Sequence, residues 1–136
     1  MGYDSQVPVS WRITENCVLL ESEPTATFDE WTAAVDAALV DEKFRPGMGV
    51  VHDLRRQFRV PTADEARERV DFLMSRSQKA GIRRWAIVVA GTAHYGMGRL
   101  AEFVSDGGPV VFRVFLDVGE AHAWACGKHS ESGNVA

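Results

Sequence analysis

The stretch Met48-Gly49-Val50-Val51-His52-Asp53-Leu54-Arg55-Arg56 holds the densest set of groups in the chain that could do chemistry. A short apolar run ends in an imidazole, a carboxylate and two guanidinium groups. His52 and Asp53 are neighbours on what reads as a strand, so they point to opposite faces and do not form a dyad with each other. Arg55 and Arg56 could grip an anion through paired N–H donors. A second suggestive segment is Gly91-Thr92-Ala93-His94-Tyr95-Gly96-Met97-Gly98-Arg99. Read as a loop that opens a helix at Gly96, it would bring backbone N–H groups of Gly96 and Gly98 toward an anion, with Arg99 beside them. His94 could approach Asp53 as a base with its orienting carboxylate. The expected ligand-binding set is therefore Arg55, Arg56, His94, Gly96, Gly98 and Arg99, and the expected ligand is a small anion.

Other chemistries find no support. The segment 91–99 is not G-x-G-x-x-G and has no Lys-Ser/Thr for a P-loop. No G-x-S-x-G elbow supplies a hydrolase nucleophile. The histidines lack i, i+4 pairing and thiolate partners, so neither a metal nor another cofactor is expected. Cys17 and Cys126 belong to no C-x-x-C pair. They read as buried small hydrophobes in a reducing compartment, although one disulfide between them is open to the chain.

The net charge of −4 argues against non-specific nucleic-acid binding. That charge is uneven. Residues 45–84 carry ten Lys/Arg against five Asp/Glu, and the rest of the chain is strongly acidic. Arg55, Arg56 and Arg59 precede Asp64, Glu65 and Glu68, which reads as local compensation or as a basic lip for an acidic partner. No apolar run of about 18 residues marks a membrane span, and the first residues lack a signal-peptide pattern, so a cytoplasmic protein without stable membrane insertion is expected.

These groups must be positioned by a scaffold, and its elements can be read in order. Trp11-Arg12-Ile13-Thr14 alternates, Glu15-Asn16 turns, and residues 17–21 return as a second strand. Thr27 with Glu30 and Thr62 with Glu65 form capping boxes ahead of two helices, the first running to about Asp41 and the second closing at Ala80-Gly81. Residues 49–54 are the central strand. Trp85-Ala86-Ile87-Val88-Val89-Ala90 reads as a strand buried on both faces. A helix through Met97, Leu100, Ala101 and Val104, a strand over 110–116 and a short helix capped by Asp117 complete the chain. Trp31, Trp85 and Trp124 fall on inner faces, whereas Trp11 sits near an edge. The order β-β-α-β-α-β-α-β-α implies one α/β domain over residues 10–126, with an arm at 1–9 and a disordered tail at 127–136.

That order, with residues 49–54 as a central strand ending in Asp and Phe115-Leu116-Asp117 leading into Ala121 and Trp124, is similar to the STAS fold, named for sulphate transporters and anti-sigma-factor antagonists. It looks most like the small bacterial proteins called SpoIIAA-like. The resemblance implies a mixed five-stranded sheet and a regulatory or protein-interaction module rather than an enzyme, acting as a homodimer. The antagonists carry an Asp-Ser-Ser/Thr-Gly stretch after the central strand, with a phosphorylated hydroxyl. Here Asp53 is followed by Leu54, Arg55 and Arg56, so a phosphorylation switch at this position is not expected. The alternative reading is a binder of a small anionic or lipid-like ligand at segment 91–99, since lipid-binding Sec14-type domains have a similar layout.

Overall fold

The computed structural model describes residues 7–127. Five strands and four helices follow one another as β1 (Val9–Ile13), β2 (Cys17–Ser22), α1 (Phe28–Leu39), β3 (Gly49–Asp53), α2 (Ala63–Ala80), β4 (Arg84–Val88), α3 (Thr92–Ser105), β5 (Val111–Phe115) and α4 (Val118–Cys126). The sheet order is β1-β2-β3-β4-β5. β1 pairs antiparallel with β2, and every later neighbour pair is parallel. The expected hairpin and mixed sheet are therefore present. β1 starts at Val9, so the N-terminal arm is shorter than expected. Residues 1–6 and 128–136 of the expected arm and tail lie outside the described residues.

Local chemistry sets the helix ends. Glu30 N–H donates to Thr27 Oγ1 at 3.2 Å, and Thr27 N–H donates to the Glu30 carboxylate at 2.8 Å. Thr62 and Glu65 repeat the exchange at 3.1 and 3.0 Å. Each box satisfies two helix-end donors that have no partner inside the helix. Gly81 ends α2 in the left-handed region at φ 86° and relays two helix-end carbonyls. Asp117 caps α4 through Glu120 N–H at 3.0 Å.

Strand alternation divides the core in two. On one face, Val18, Leu20, Val50, Trp85 and Phe112 pack beneath α1, α2 and α3 with Trp31, Val35, Val70, Leu73 and Ala101. On the other, Cys17, Val51, Ala86 and Val88 meet Ala121, Ala125 and Cys126 of α4. α4 lies so close to β3 that a Cβ on Gly49 would overlap the Ala125 carbonyl, so this position requires glycine. The alternation of β4 is as its sequence requires. Trp85, Ile87 and Val89 face the larger core, and Ala86 and Val88 face the smaller.

Cys17 and Cys126 are not separate thiols, as one sequence reading had them. They form a disulfide with Cα atoms 5.2 Å apart and a sequence separation of 109 residues. The spacing of two cysteines says nothing about it. Only the packing of α4 on β3, next to β2, brings them together.

Candidate functional site

The apolar end of β3 places its two chemical side chains on opposite faces. Val50 and His52 face the larger core, whereas Val51 and Asp53 face the α4 side. His52 is 1% exposed, and its Nε2 lies 2.8 Å from Ser22 Oγ, itself fully buried. Its ring meets Trp31 edge to face at a centroid distance of 4.8 Å. Burial pulls the His52 pKa down from 6.5 to about 3, against a smaller opposing pull from Asp53. His52 is a neutral floor residue at physiological pH.

This burial has a consequence for pH. Between pH 6.5 and the native value near 3, the unfolded chain takes up a proton that the native protein refuses, so stability falls as pH drops through that window. At pH 5 the loss is about 2 kcal/mol. Asp53 adds to it lower down. Burial pushes Asp53 up, but the Arg55 side chain and backbone N–H outweigh that and hold it below its usual value, so its contribution disappears below about pH 3.8. Urea midpoints at pH 7.5 and 5 should differ accordingly, and equal midpoints would show that His52 is not held neutral.

Above His52 the larger core leaves an apolar cavity of about 80 Å³ between the ends of β3 and β4 and the helices α2 and α3. Its floor is Trp31, His52, Trp85 and Phe112, its walls include Val70, Leu73, Ile87 and Met97, and Arg59, Arg69 and His94 also border it. Two of its polar groups stand out. Trp31 is 6% exposed, and no acceptor among the described residues reaches its Nε1–H. Arg69 is half-buried, with its guanidinium carbon 5.0 Å from the Trp31 ring centre and 5.3 Å from that of Phe28. Its closest acidic neighbour in influence, Glu65, is already held by Arg59 at 2.8 and 2.9 Å and by Thr62 N–H.

The residues expected to bind an anion are dispersed. Segment 91–99 is not a loop opening a helix at Gly96. α3 begins at Thr92, so Gly96 and Gly98 lie inside the helix and their N–H groups are not at its N-terminus. Gly98 is there for packing: a Cβ would overlap Val114 of β5. It borders the cavity, as does His94, whose Nε2 lies 3.2 Å from the Arg59 carbonyl oxygen rather than beside Asp53. Gly96 is exposed with open space around it. Arg99 pairs with Glu102 at 3.0 Å, and Arg56 pairs with Glu23 at 3.1 Å. Arg55 clasps Asp53 through two side-chain bonds of 3.0 and 2.7 Å, away from the cavity. The basic lip is thus mostly neutralised within the fold.

Arg69 and the Trp31 N–H were not singled out in the sequence. A signal for Arg69 existed. It lies three residues after Ala66 and four before Leu73, which puts a cation on the edge of the apolar face of α2.

The chain matches no family model, and no curated protein matches it. Among solved structures it superposes on an uncharacterized protein from the DUF3478 family with a SpoIIAA-like fold, from Shewanella loihica PV-4. The TM-score is 0.54 at 16% identity, over 87% of this chain and 92% of that one. This chain has a SpoIIAA-like fold. At that identity the likeness establishes architecture alone, and the function has to come from the site.

Proposed function

We propose that this protein is a binding module for a small, largely apolar molecule, held in the cavity between β3, β4, α2 and α3. The supporting observation is the apolar cavity of about 80 Å³ that the larger core leaves unfilled between Trp31, Val70, Leu73, Trp85 and Ile87. An apolar ligand filling that space would gain burial against these side chains. Any regulatory role would then act through ligand occupancy rather than phosphorylation, because Thr62, the nearest hydroxyl in sequence, is engaged as a helix cap. Trp31 and Trp85 both line the cavity, so binding should change intrinsic fluorescence. Small molecules extracted from the protein purified from its source should shift that signal when returned to it. They should fail to do so in Ile87→Phe, which fills the cavity. No response in the wild type, or an equal response in both, would end this reading.

A second reading, protein contact through a homodimer, has one observation behind it. Among the described residues α4 is the only helix on its face of the sheet; it packs on β3, β4 and β5, which leaves Ser10, Arg12, Leu19 and Glu21 of β1 and β2 lining an open groove beside Val118 and His122. The expected result is a dimer mass by light scattering at tens of micromolar. A monomer mass would remove this reading and leave the cavity untouched. No described helix is long and apolar enough to cross a membrane. A cytoplasmic location remains part of the proposal, with both disulfide cysteines shielded from solvent by burial.

A further inference from the structure

The two edges of the sheet are finished differently. At the β5 edge, Val111 and Phe115 face β4: Val111 N–H donates to the Arg83 carbonyl, and Val89 N–H donates to the Phe115 carbonyl. Phe112 and Val114, which alternate with them, turn their N–H groups outward. Both are capped from α3. Phe112 N–H donates to Ser105 Oγ at 3.1 Å, and Val114 N–H donates to the Glu102 carboxylate at 2.8 Å. No strand can add at β5 without breaking these bonds.

The β1 edge has no such cover among the described residues. Thr14 N–H donates to the Cys17 carbonyl, and Glu23 N–H donates to the Pro8 carbonyl, both at 2.8 Å. In an antiparallel ladder that phase turns Ser10 and Arg12 toward β2 and turns the backbone groups of Val9, Trp11 and Ile13 outward. Those outward groups meet no partner among the described residues. The side chains alternate as well. Trp11 and Ile13 are half-buried against the larger core, whereas Ser10 and Arg12 are exposed on the α4 side. Glu21, opposite Ser10 on β2, is exposed on the same side. Neither Arg12 nor Glu21 takes part in an ion pair among the described residues.

Resting on the homodimer reading, we propose that two copies join edge to edge through antiparallel β1 strands, with the two-fold axis at Trp11, making one sheet continuous across both. The strand itself selects this register. With Trp11 opposite the partner's Trp11, Val9 falls opposite the partner's Ile13, and every outward N–H of the three finds a carbonyl. Moving the axis to Arg12 would set two guanidinium groups face to face and leave Val9 unpaired. Moving it to Ser10 would run Ile13 past the start of the partner's β1. In the Trp11 register Arg12 lies opposite the partner's Ser10. It extends over that small side chain toward the partner's Glu21, about 10 Å away across two strand spacings. The ion pair repeats across the axis, and on the other face each Trp11 covers its counterpart. Because β5 is capped, pairing stops at two copies and does not propagate into a fibre.

The test measures the mass of the full chain by sedimentation over a concentration series, with amide hydrogen exchange followed by NMR. The amides of Trp11 and Ile13 should exchange slowly in the dimer and lose that protection on dilution. Those of Ser10 and Arg12, bonded within the hairpin, should keep it. Arg12→Glu and Glu21→Arg should each weaken the dimer about tenfold, since each reversal acts twice, and the double reversal should recover most of the loss. Both positions are exposed, so the variants should fold as the wild type does. A monomer at every concentration would overturn the edge contact and the homodimer reading together. A dimer whose Trp11 and Ile13 amides exchange fast, or which neither reversal weakens, would overturn the edge contact and leave a dimer through another surface. Slow exchange of these amides in a monomer would overturn it in favour of cover by residues of the same chain outside 7–127.

Discussion

Val88→Asp should abolish soluble, folded protein. Val88 is fully buried in the middle of the smaller core, between α4 and the sheet, with Val51 and Ala86 as its neighbours in that layer. None of the hydrophobic residues forming that core can pair with a carboxylate. An unpaired buried charge costs several kcal/mol even after its pKa adjusts, and the protonated form still leaves a polar group without a partner. A domain of this size is stable by about 5–15 kcal/mol in all, so the penalty consumes most or all of the margin. Val88→Ala separates charge from volume: it should cost about 2 kcal/mol, remain soluble and lower the melting temperature without loss of the native circular dichroism spectrum. Soluble folded Val88→Asp would show that β4 is not held between two layers.

Loss of the Cys17–Cys126 disulfide should cost about 2–5 kcal/mol, the next largest effect. The bond closes most of the chain, its ends 109 positions apart, and in the chain-entropy account long loops restrict the unfolded ensemble most. The site also makes the native side of the balance sensitive. α4 is a helix of 9 residues and, among the described residues, the only one covering its face of the sheet. Besides the disulfide, it is held by burial of Ala121 and Ala125 and by a 2.8 Å bond from the Arg84 guanidinium to the Trp124 carbonyl oxygen. The double variant Cys17→Ser, Cys126→Ser should therefore melt roughly 10 °C or more below the oxidised protein. Reductant should lower the wild-type melting temperature and leave that of the double variant unchanged. Two titratable thiols in the unreduced, denatured protein, together with a reductant-insensitive melt, would show that the bond does not form.

These two effects bear on the face opposite the cavity, and the division has a functional side. Groups that could serve a ligand sit under α2 and α3, where the core is large enough to leave space. The α4 face is closed by small residues, Gly49 against Ala125 above all, and has no room to take in a molecule between that helix and β3.

The sequence by itself determined where α1 and α2 begin, where α2 ends, which way the strand side chains face and the order of elements. The two Thr-x-x-Glu boxes fixed where α1 and α2 begin, because the donor and acceptor lie three residues apart. Gly81 fixed where α2 ends, because a left-handed φ is easy only without a Cβ. Period-two alternation sent His52 and Asp53 to opposite faces and divided β4 between two cores. The order of elements was legible for the same reason, and with it the SpoIIAA-like architecture. Tertiary structure decided the rest. Segment 91–99 has glycines at 91, 96 and 98, which locally resemble a turn, but packing of Gly98 against Val114 carries the helix back to Thr92, and no neighbour in sequence announces that contact. Arg55, Arg56 and Arg99 looked free because their pairing with Asp53, Glu23 and Glu102 is chosen by side-chain geometry and, for Glu23, by a loop just past β2 that lies 33 residues away in sequence. The cavity, the contact of Arg69 with the Trp31 ring, and the Cys17–Cys126 bond all join residues from distant elements. Their proximity exists only once α1, α2 and α4 have packed on the sheet, and a period or a cap cannot encode it.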